Sequence, residues 1–95
     1  MTAYLVAQVR IDDQETYQRY REAVPPLVDR FGGRFRARGG ELEVLEGAWP
    51  FPRLVIIEFP SRDAARLFYD SPEYQRILPL RQQASAGNVV LVEGV

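Results

Sequence analysis

The chain has 95 residues, a net charge of −1 and 12 basic residues, all of them arginine; it contains no lysine, histidine or cysteine. These absences exclude Ser-His and Cys-His nucleophile pairs, Schiff-base lysines, histidine-ligated haem and zinc sites built from Cys and His. Proton transfer would have to use Asp, Glu, Tyr, Arg, a terminus or a bound molecule. The balanced charge lacks the basic footprint of a nucleic-acid-binding protein, so we expect no nucleic acid as a partner.

The length predicts a single domain over residues 1–95. A domain of this size buries only about 60–65% of its unfolded surface, so association of two copies would stabilise it. The longest apolar run, Leu54–Ile57, is too short to span a bilayer, and Met1–Gln8 has no basic segment typical of a signal peptide. We expect a cytoplasmic protein with no membrane contact, which also fits the absence of cysteine.

The first third of the chain predicts a strand followed by a helix. Residues Ala3–Ile11 alternate between two faces at the period of a strand. Asp12 is the predicted N-cap of the helix, with Glu15 completing a capping box. We expect this helix to kink or break into two pieces at Pro25–Pro26 and to end at Gly32–Gly33.

The middle of the chain predicts a hairpin and a further strand. Arg34–Arg38 is a short strand, Gly39–Gly40 is a turn, and Leu42–Glu46 returns as a hairpin arm. Arg53–Phe59 is the clearest strand in the sequence. In a regular strand the three arginines of Arg34–Arg38 share one face. We expect them to pair with glutamates of the returning arm.

The last third predicts helix, helix and strand. Ser61 is the N-cap of a second helix, and Ser71–Pro72 begins a third helix that Pro79 interrupts, with a further turn to about Ala84. A final strand is predicted over Asn88–Glu93. The element order predicts an α+β, ferredoxin-like split β-α-β fold, in which a four-stranded antiparallel sheet carries the helices on one face.

The second face of this sheet is predicted to form an interface. It carries the side chains of Tyr4, Val6, Gln8, Leu54, Ile56 and Glu58. A surface this apolar is typical of a contact, so we expect a two-fold homodimer with the sheets packed face to face. Each protomer would keep a cleft, either between sheet and helices or at the edge where the sheets meet, for a small-molecule ligand.

Several segments carry a resemblance to a known family. They are GGRFRARGG (Gly32–Gly40), VLEG (Val44–Gly47), RLVIIEFPS (Arg53–Ser61), SPEYQ (Ser71–Gln75), Arg81 and VEG (Val92–Gly94). Over essentially its whole length the chain resembles the DUF1330 family. The resemblance implies the dimeric α/β-barrel fold and the dimer, and it implies no reaction. The architecture is also similar to antibiotic-biosynthesis monooxygenases, muconolactone isomerases and haem-dependent peroxidase-like proteins, although a chain without histidine does not fit the histidine-ligated haem branch. We expect no cofactor and no metal.

Two glutamates are the candidate catalytic residues. Glu58 lies mid-strand on a partly apolar face, where an unpaired carboxylate has a raised pKa suited to a general base. The alternative is a structural ion pair with an arginine such as Arg38 or Arg10. The same two interpretations apply to Glu46, at the end of the predicted hairpin arm.

The candidate ligand-binding residues are Arg38, Gly39, Tyr20, Tyr74 and Arg81. An arginine followed by glycine offers a bidentate fork and close backbone approach to a carboxylate or phosphate, or else it is a turn with a solvated side chain. The tyrosines either bind a ligand through their hydroxyls or belong to the core. Arg81 either binds a substrate carboxylate or is solvated.

Three functions remain open at this point. The first is a cofactor-independent enzyme acting on a small acidic or phenolic molecule, the second a non-catalytic ligand-binding module, and the third a dimer whose sheet face serves assembly alone. A carboxylate in an apolar pocket favours the first function. An open pocket with paired carboxylates favours the second, and a filled interior favours the third.

Overall fold

The computed structural model describes all 95 residues and shows the predicted α+β fold. The elements in chain order are β1 (Ala3–Ile11), α1 (Gln14–Arg30), β2 (Arg34–Arg38), β3 (Arg53–Phe59), α2 (Arg62–Asp70), α3 (Pro72–Ala84) and β4 (Ser85–Glu93). The strands form one antiparallel sheet in the order β2-β3-β1-β4, which confirms the ferredoxin-like topology. No helix combines the length and apolar content needed to cross a membrane.

The core lies between one face of the sheet and the helices. Alternate residues of the central strands β1 and β3, including Leu5 and Phe59, are buried there, as their period-two pattern predicts. They pack against apolar residues of the helices such as Val28 and Phe68. Gly33 follows α1 at a point where a Cβ would lie 2.7 Å from the Phe59 ring, so glycine permits this close approach of helix end and sheet.

The start of α1 differs from the prediction by one residue. Asp13, not Asp12, is the N-cap: its carboxylate accepts a hydrogen bond from the Thr16 backbone N–H at 3.1 Å. Asp12 accepts a bond from Arg10 Nε at 2.9 Å instead. The prediction was wrong because the Asp12 carboxylate is bound by Arg10, and the backbone N–H groups of Asp12 and Asp13 both donate to the Ala84 carbonyl, so the helix begins one residue later.

The predicted break of the first helix at Pro25–Pro26 and the predicted interruption of the third helix at Pro79 do not occur. The α1 helix runs without interruption through Pro25–Pro26, and α3 runs through Pro79. A proline inside a helix costs about 3 kcal/mol because it removes one hydrogen bond and crowds the preceding turn. The α1 helix buries Tyr17, Val24 and Val28 on one stripe, and this tertiary packing outweighs the local cost.

The predicted hairpin arm Leu42–Glu46 is absent. Residues 39–52 contain no strand, and β2 pairs with β3 across this loop. The β2 strand also contains a bulge: Phe35 lies opposite Ile57, whereas Ala37 lies opposite Ile56. The extra residue changes which face each side chain occupies.

The bulge separates the arginines of β2. Arg34 lies opposite Glu58 on the uncovered face, whereas Arg38 lies opposite Val55 on the face covered by the helices. The prediction that the β2 arginines share one face and pair with loop glutamates is therefore wrong. The ion pair that forms joins Arg36 to Glu58.

Candidate functional site

A cavity lies between the sheet and the helices. The cavity has a volume of about 60 Å³. Its walls are mainly apolar and include Ala7 and Val9 of β1, Val55 of β3 and Val89 of β4. Such a space suits a small organic molecule with an apolar body.

Four arginines and no carboxylate line this cavity. The arginines come from four elements: Arg21 from α1, Arg38 from β2, Arg53 from β3 and Arg81 from α3. None of them takes part in any of the five ion pairs of the structure. The cavity therefore carries positive charge that no side chain of the protein neutralises.

Two of these arginines have buried donors without an acceptor. The Nε atoms of Arg53 and Arg81 are inaccessible to solvent and have no hydrogen-bond partner. An unsatisfied buried donor costs about 1–3 kcal/mol. Such a donor in a native structure calls for an acceptor, which a bound water, ion or ligand can supply.

A backbone carbonyl of α1, left free by a proline, binds the Arg38 side chain in the cavity. Its Nη2 donates to the backbone carbonyl of Arg21. In a regular helix the N–H four residues later would bond to that carbonyl, but the residue there is Pro25, which has no N–H. The Arg38 guanidinium also lies 4.6 Å from the centre of the Phe35 ring. Burial lowers the pKa of Arg38, and the nearby charges of Arg21 and Arg53 lower it further.

Arg53 occupies space that Gly39 leaves open. Gly39 has φ +71, a conformation that favours glycine, and a Cβ there would collide with the Arg53 guanidinium. The Gly39 N–H donates to the Leu54 carbonyl at 2.9 Å, which fixes the start of the loop beside β3. The Arg53 guanidinium lies 5.6 Å from the centre of the Tyr17 ring, within range of a cation–π contact.

Two tyrosines form a hydrogen-bonded pair beside Arg81. The hydroxyls of Tyr20 and Tyr74 are 2.7 Å apart, and the Arg81 guanidinium lies 5.9 Å from the centre of the Tyr20 ring. Burial raises the pKa of Tyr20 well above its ordinary value, and the neighbouring Tyr74 raises it further. Burial acts to lower the pKa of Arg81, but Tyr74 and Tyr20 raise it, and the net direction is upward.

The local sequence explains the position of Tyr74. Ser71 is the N-cap of α3, and its hydroxyl accepts a hydrogen bond from the Tyr74 N–H at 3.1 Å. Pro72 follows at the first helical position, where its missing N–H has no cost. Tyr74 thus lies in the first turn of α3 with its ring buried against α1 and α2.

The structure brings most of the predicted ligand-binding residues together. Tyr20, Tyr74, Arg38 and Arg81 all line the cavity, and Gly39 lies beside the Arg53 guanidinium. The sequence reasoning did not select Arg53, Arg21, Tyr17 or Tyr69, which also line it. The alternation of residues in β3 did indicate the position of Arg53. It lies two residues before Val55, so both side chains lie on the face of the sheet that the helices cover.

The two candidate catalytic glutamates lie elsewhere. Glu58 is on the opposite face of the sheet, where Arg36 Nε lies 3.3 Å from its carboxylate. The hydrogen bond from Arg36 lowers the pKa of Glu58, which is the opposite of the shift expected for an unpaired base. Glu46 is exposed in the loop after β2 and makes no ion pair. No group of three or more acidic side chains could hold a metal ion.

Comparisons with known proteins agree with this fold. A family model described as "Domain of unknown function (DUF1330)" matches residues 2–95. No curated protein matches the sequence. Among solved structures, a protein of unknown function from Rhodopseudomonas palustris has a TM-score of 0.79 at 19% identity, covering 99% of this chain and 82% of its own.

Two further solved structures are similar in fold. A dimeric ferredoxin-like protein of unknown function from Jannaschia sp. CCS1 has a TM-score of 0.73 at 16% identity, covering 99% of this chain and all of its own. SnoaB from Streptomyces nogalater, a cofactor-independent oxygenase, has a TM-score of 0.72 at 12% identity, covering 99% of this chain and 93% of its own. At these identities the similarity concerns the fold alone.

Proposed function

The chain belongs to the DUF1330 family, and we propose that it binds a small, largely apolar organic anion in the cavity between sheet and helices. One observation carries the proposal: four arginines line an apolar cavity that contains no carboxylate. Arg21 is exposed, whereas Arg38, Arg53 and Arg81 are partly buried. A partly buried guanidinium without a counter-ion favours an incoming carboxylate, with which it forms charge-assisted hydrogen bonds.

The three functions left open by the sequence differ in what they require of this cavity. Assembly alone fits a filled interior, and a carboxylate-catalysed enzyme fits an acid inside the pocket. Here the cavity is open, Glu58 is paired with Arg36 outside it, and only arginines and tyrosines supply polar groups. This combination supports the second of them, ligand binding.

The test compares anions with neutral molecules of the same shape. Benzoate and 1-naphthoate are titrated calorimetrically against their amides, benzamide and 1-naphthamide. We expect each carboxylate to bind at least about tenfold more tightly than its amide, because one charge-assisted contact contributes about 1.5–3 kcal/mol. Equal affinity of acid and amide would refute the role of charge, and no binding by any of the four would overturn the proposal.

A second candidate function is a cofactor-independent enzyme acting on a phenol or an enolisable compound. The hydrogen-bonded pair of Tyr20 and Tyr74 beside Arg81 favours it, because this group offers a hydrogen bond and a positive charge that stabilise a phenolate or enolate oxygen. SnoaB, which is similar in fold, is a cofactor-independent oxygenase. Glu58 and Glu46 remain candidate bases only for a site outside the cavity.

The enzymatic function is tested by incubating the protein with 1-naphthol in air and following oxygen consumption and products. If the cavity is the active site, Tyr74→Phe reduces turnover strongly while Glu58→Gln leaves it unchanged. Binding of 1-naphthol without turnover by the wild-type protein leaves ligand binding as the function. Loss of turnover in Glu58→Gln alone would place the chemistry on the other face of the sheet.

We also propose that the protein is a homodimer joined through the uncovered sheet face. Val6 and Ile56 lie there beside Val90 and Val92, which are 55% and 49% exposed. The similar protein from Jannaschia is described as dimeric. We expect Ile56→Asp to convert the dimer to monomer in native mass spectrometry, because it buries a charge in an apolar interface.

The control for this experiment is Leu67→Asp. Leu67 is 65% exposed on α2, away from the uncovered sheet face, so this variant should remain a dimer. A monomeric wild-type protein, or a dimer that persists in Ile56→Asp, would refute the face-to-face arrangement.

A further inference from the structure

We propose that the ligand is a dianion, an organic dicarboxylate or its chemical equivalent, whose two charged groups bind at two separate positions in the cavity. The first position is the cluster of Arg21, Arg38 and Arg53. The second is Arg81 with the hydroxyls of Tyr20 and Tyr74. The inference rests on the proposed function, that the cavity binds an organic anion, and specifies its ligand class.

The arginines of the first position converge from three elements. Arg38 donates to the Arg21 carbonyl, which brings the edge strand and α1 together at this point. The guanidinium of Arg53 lies against Gly39, the neighbour of Arg38 in the chain. Three like charges gathered without a carboxylate repel one another, and one anionic group among them would reverse the sign of that interaction.

The second position has its own donors. The Nε of Arg81 is buried without a partner. In the hydroxyl pair of Tyr20 and Tyr74, one hydroxyl donates to the other, so one hydroxyl hydrogen remains for a ligand oxygen. An arginine donor and a free phenolic donor together match the two oxygens of a carboxylate.

The two positions lie against different aromatic rings. Arg53 lies over the ring of Tyr17, whereas Arg81 lies over the ring of Tyr20, and the centres of these two rings are 5.6 Å apart. The orphan Nε donors of the two arginines therefore sit in different surroundings. A ligand with one charged group would satisfy one position and leave the other uncompensated.

The rest of the cavity wall determines the polarity and size of the part of the ligand between its charged groups. Ala7, Val55 and Val89 come from three adjacent strands and offer no polar side-chain atom. The body between the charged groups is therefore apolar. The limited space favours a short aliphatic or single-ring dicarboxylate over a large polycyclic one.

The test uses probes that differ in one charge at nearly constant shape. Terephthalate and isophthalate are titrated calorimetrically against their monomethyl esters and against benzoate, at the same pH and ionic strength. We expect at least one diacid to bind about tenfold or more tightly than its own monoester, because the second carboxylate gains a charge-assisted hydrogen bond.

A variant then assigns the second charge. Arg81→Met keeps the length and apolar part of the side chain, and we expect it to lower the affinity of the diacid to that of the monoester. The control is Arg76→Met on the same helix, since Arg76 is exposed, outside the cavity and in no ion pair. It should change neither affinity.

The outcomes separate this inference from the proposed function. If monoesters and benzoate bind as tightly as the diacids, the dianion inference is overturned while anion binding stands. If Arg81→Met weakens diacid and monoester by the same factor, the second position is not where the second charge binds, and the inference is again overturned. If none of the probes binds, both proposals fail.

Discussion

Replacing Arg81 with methionine should stabilise the protein while removing a ligand contact. Arg81 is partly buried with an Nε donor that has no acceptor, and the cavity contains no carboxylate. The neighbours that raise its pKa are Tyr74, through its charge and a side-chain hydrogen bond, and Tyr20; neither is a carboxylate. At neutral pH the guanidinium therefore has aromatic neighbours but no counter-ion. Residues kept for binding often destabilise the empty protein in this way.

The expected gain follows from two opposing contributions. Removing the unsatisfied donor contributes about 1–3 kcal/mol. Losing the contact between the Arg81 guanidinium and the Tyr20 ring costs about 0.5–1 kcal/mol, because 5.9 Å is near the limit of a cation–π interaction. Methionine and arginine have similar helix propensity, so α3 itself is unaffected. The net expectation is about 1 kcal/mol of stabilisation, or a Tm higher by about 4–8 °C for a domain of this size.

The measurement is urea unfolding of wild type, Arg81→Met and Arg76→Met, followed by circular dichroism at one protein concentration. Fixed concentration matters because the stability of a dimer depends on it. We expect Arg81→Met to have a higher midpoint with an unchanged m-value, and Arg76→Met to match wild type. A destabilisation of Arg81→Met by about 1 kcal/mol or more would mean that the protein itself satisfies this charge. That result would refute the argument that Arg81 has no counter-ion until an anion binds in the cavity.

Two further predictions concern other parts of the cavity. Pro25→Ala restores a backbone N–H that competes with Arg38 for the Arg21 carbonyl. We therefore expect the free energy of unfolding to rise by about 1–3 kcal/mol and benzoate binding to weaken. Unchanged affinity in the same calorimetric titration would show that the position of Arg38 does not depend on this carbonyl. The raised pKa of Tyr20 means that the folded protein retains this proton when the unfolded chain releases it, so stability is full below about pH 10 and falls as the pH rises through the folded pKa. Alkaline unfolding followed by tyrosinate absorbance should therefore be shifted to higher pH in Tyr20→Phe, and an identical transition in both proteins would contradict the assignment.

Much of the fold follows from patterns that are local in the sequence. The alternation in Ala3–Ile11 and Arg53–Phe59 identifies the two central strands and the faces they bury, because the side-chain period of a strand is fixed by its geometry. Ser61 and Ser71 mark the starts of two helices, because a hydroxyl there satisfies free backbone N–H groups. With the element order, these signals are sufficient for the ferredoxin-like topology.

The content of the cavity depends on contacts between distant residues. The bulge in β2 turns Arg38 toward the helices. The residues of β2 alone do not predict this bulge, because the register of a strand depends on its partner strand. The carbonyl that holds Arg38 is free because α1 continues through Pro25, which tertiary packing decides. Glu58, by contrast, was placed on the correct face from its parity alone, and its ion pair with Arg36 forms because β2 and β3, which are separated by a long loop, pair side by side.

The sequence by itself therefore determined the strands, most helix starts and the absence of histidine, lysine and cysteine chemistry. Only the tertiary structure decided that arginines from four separate elements meet in one apolar cavity while every carboxylate lies outside it. The physical reason is the range of the interactions. Periodicity and capping act over a few residues, whereas strand register, helix continuity and the gathering of charges depend on packing between segments far apart in the chain.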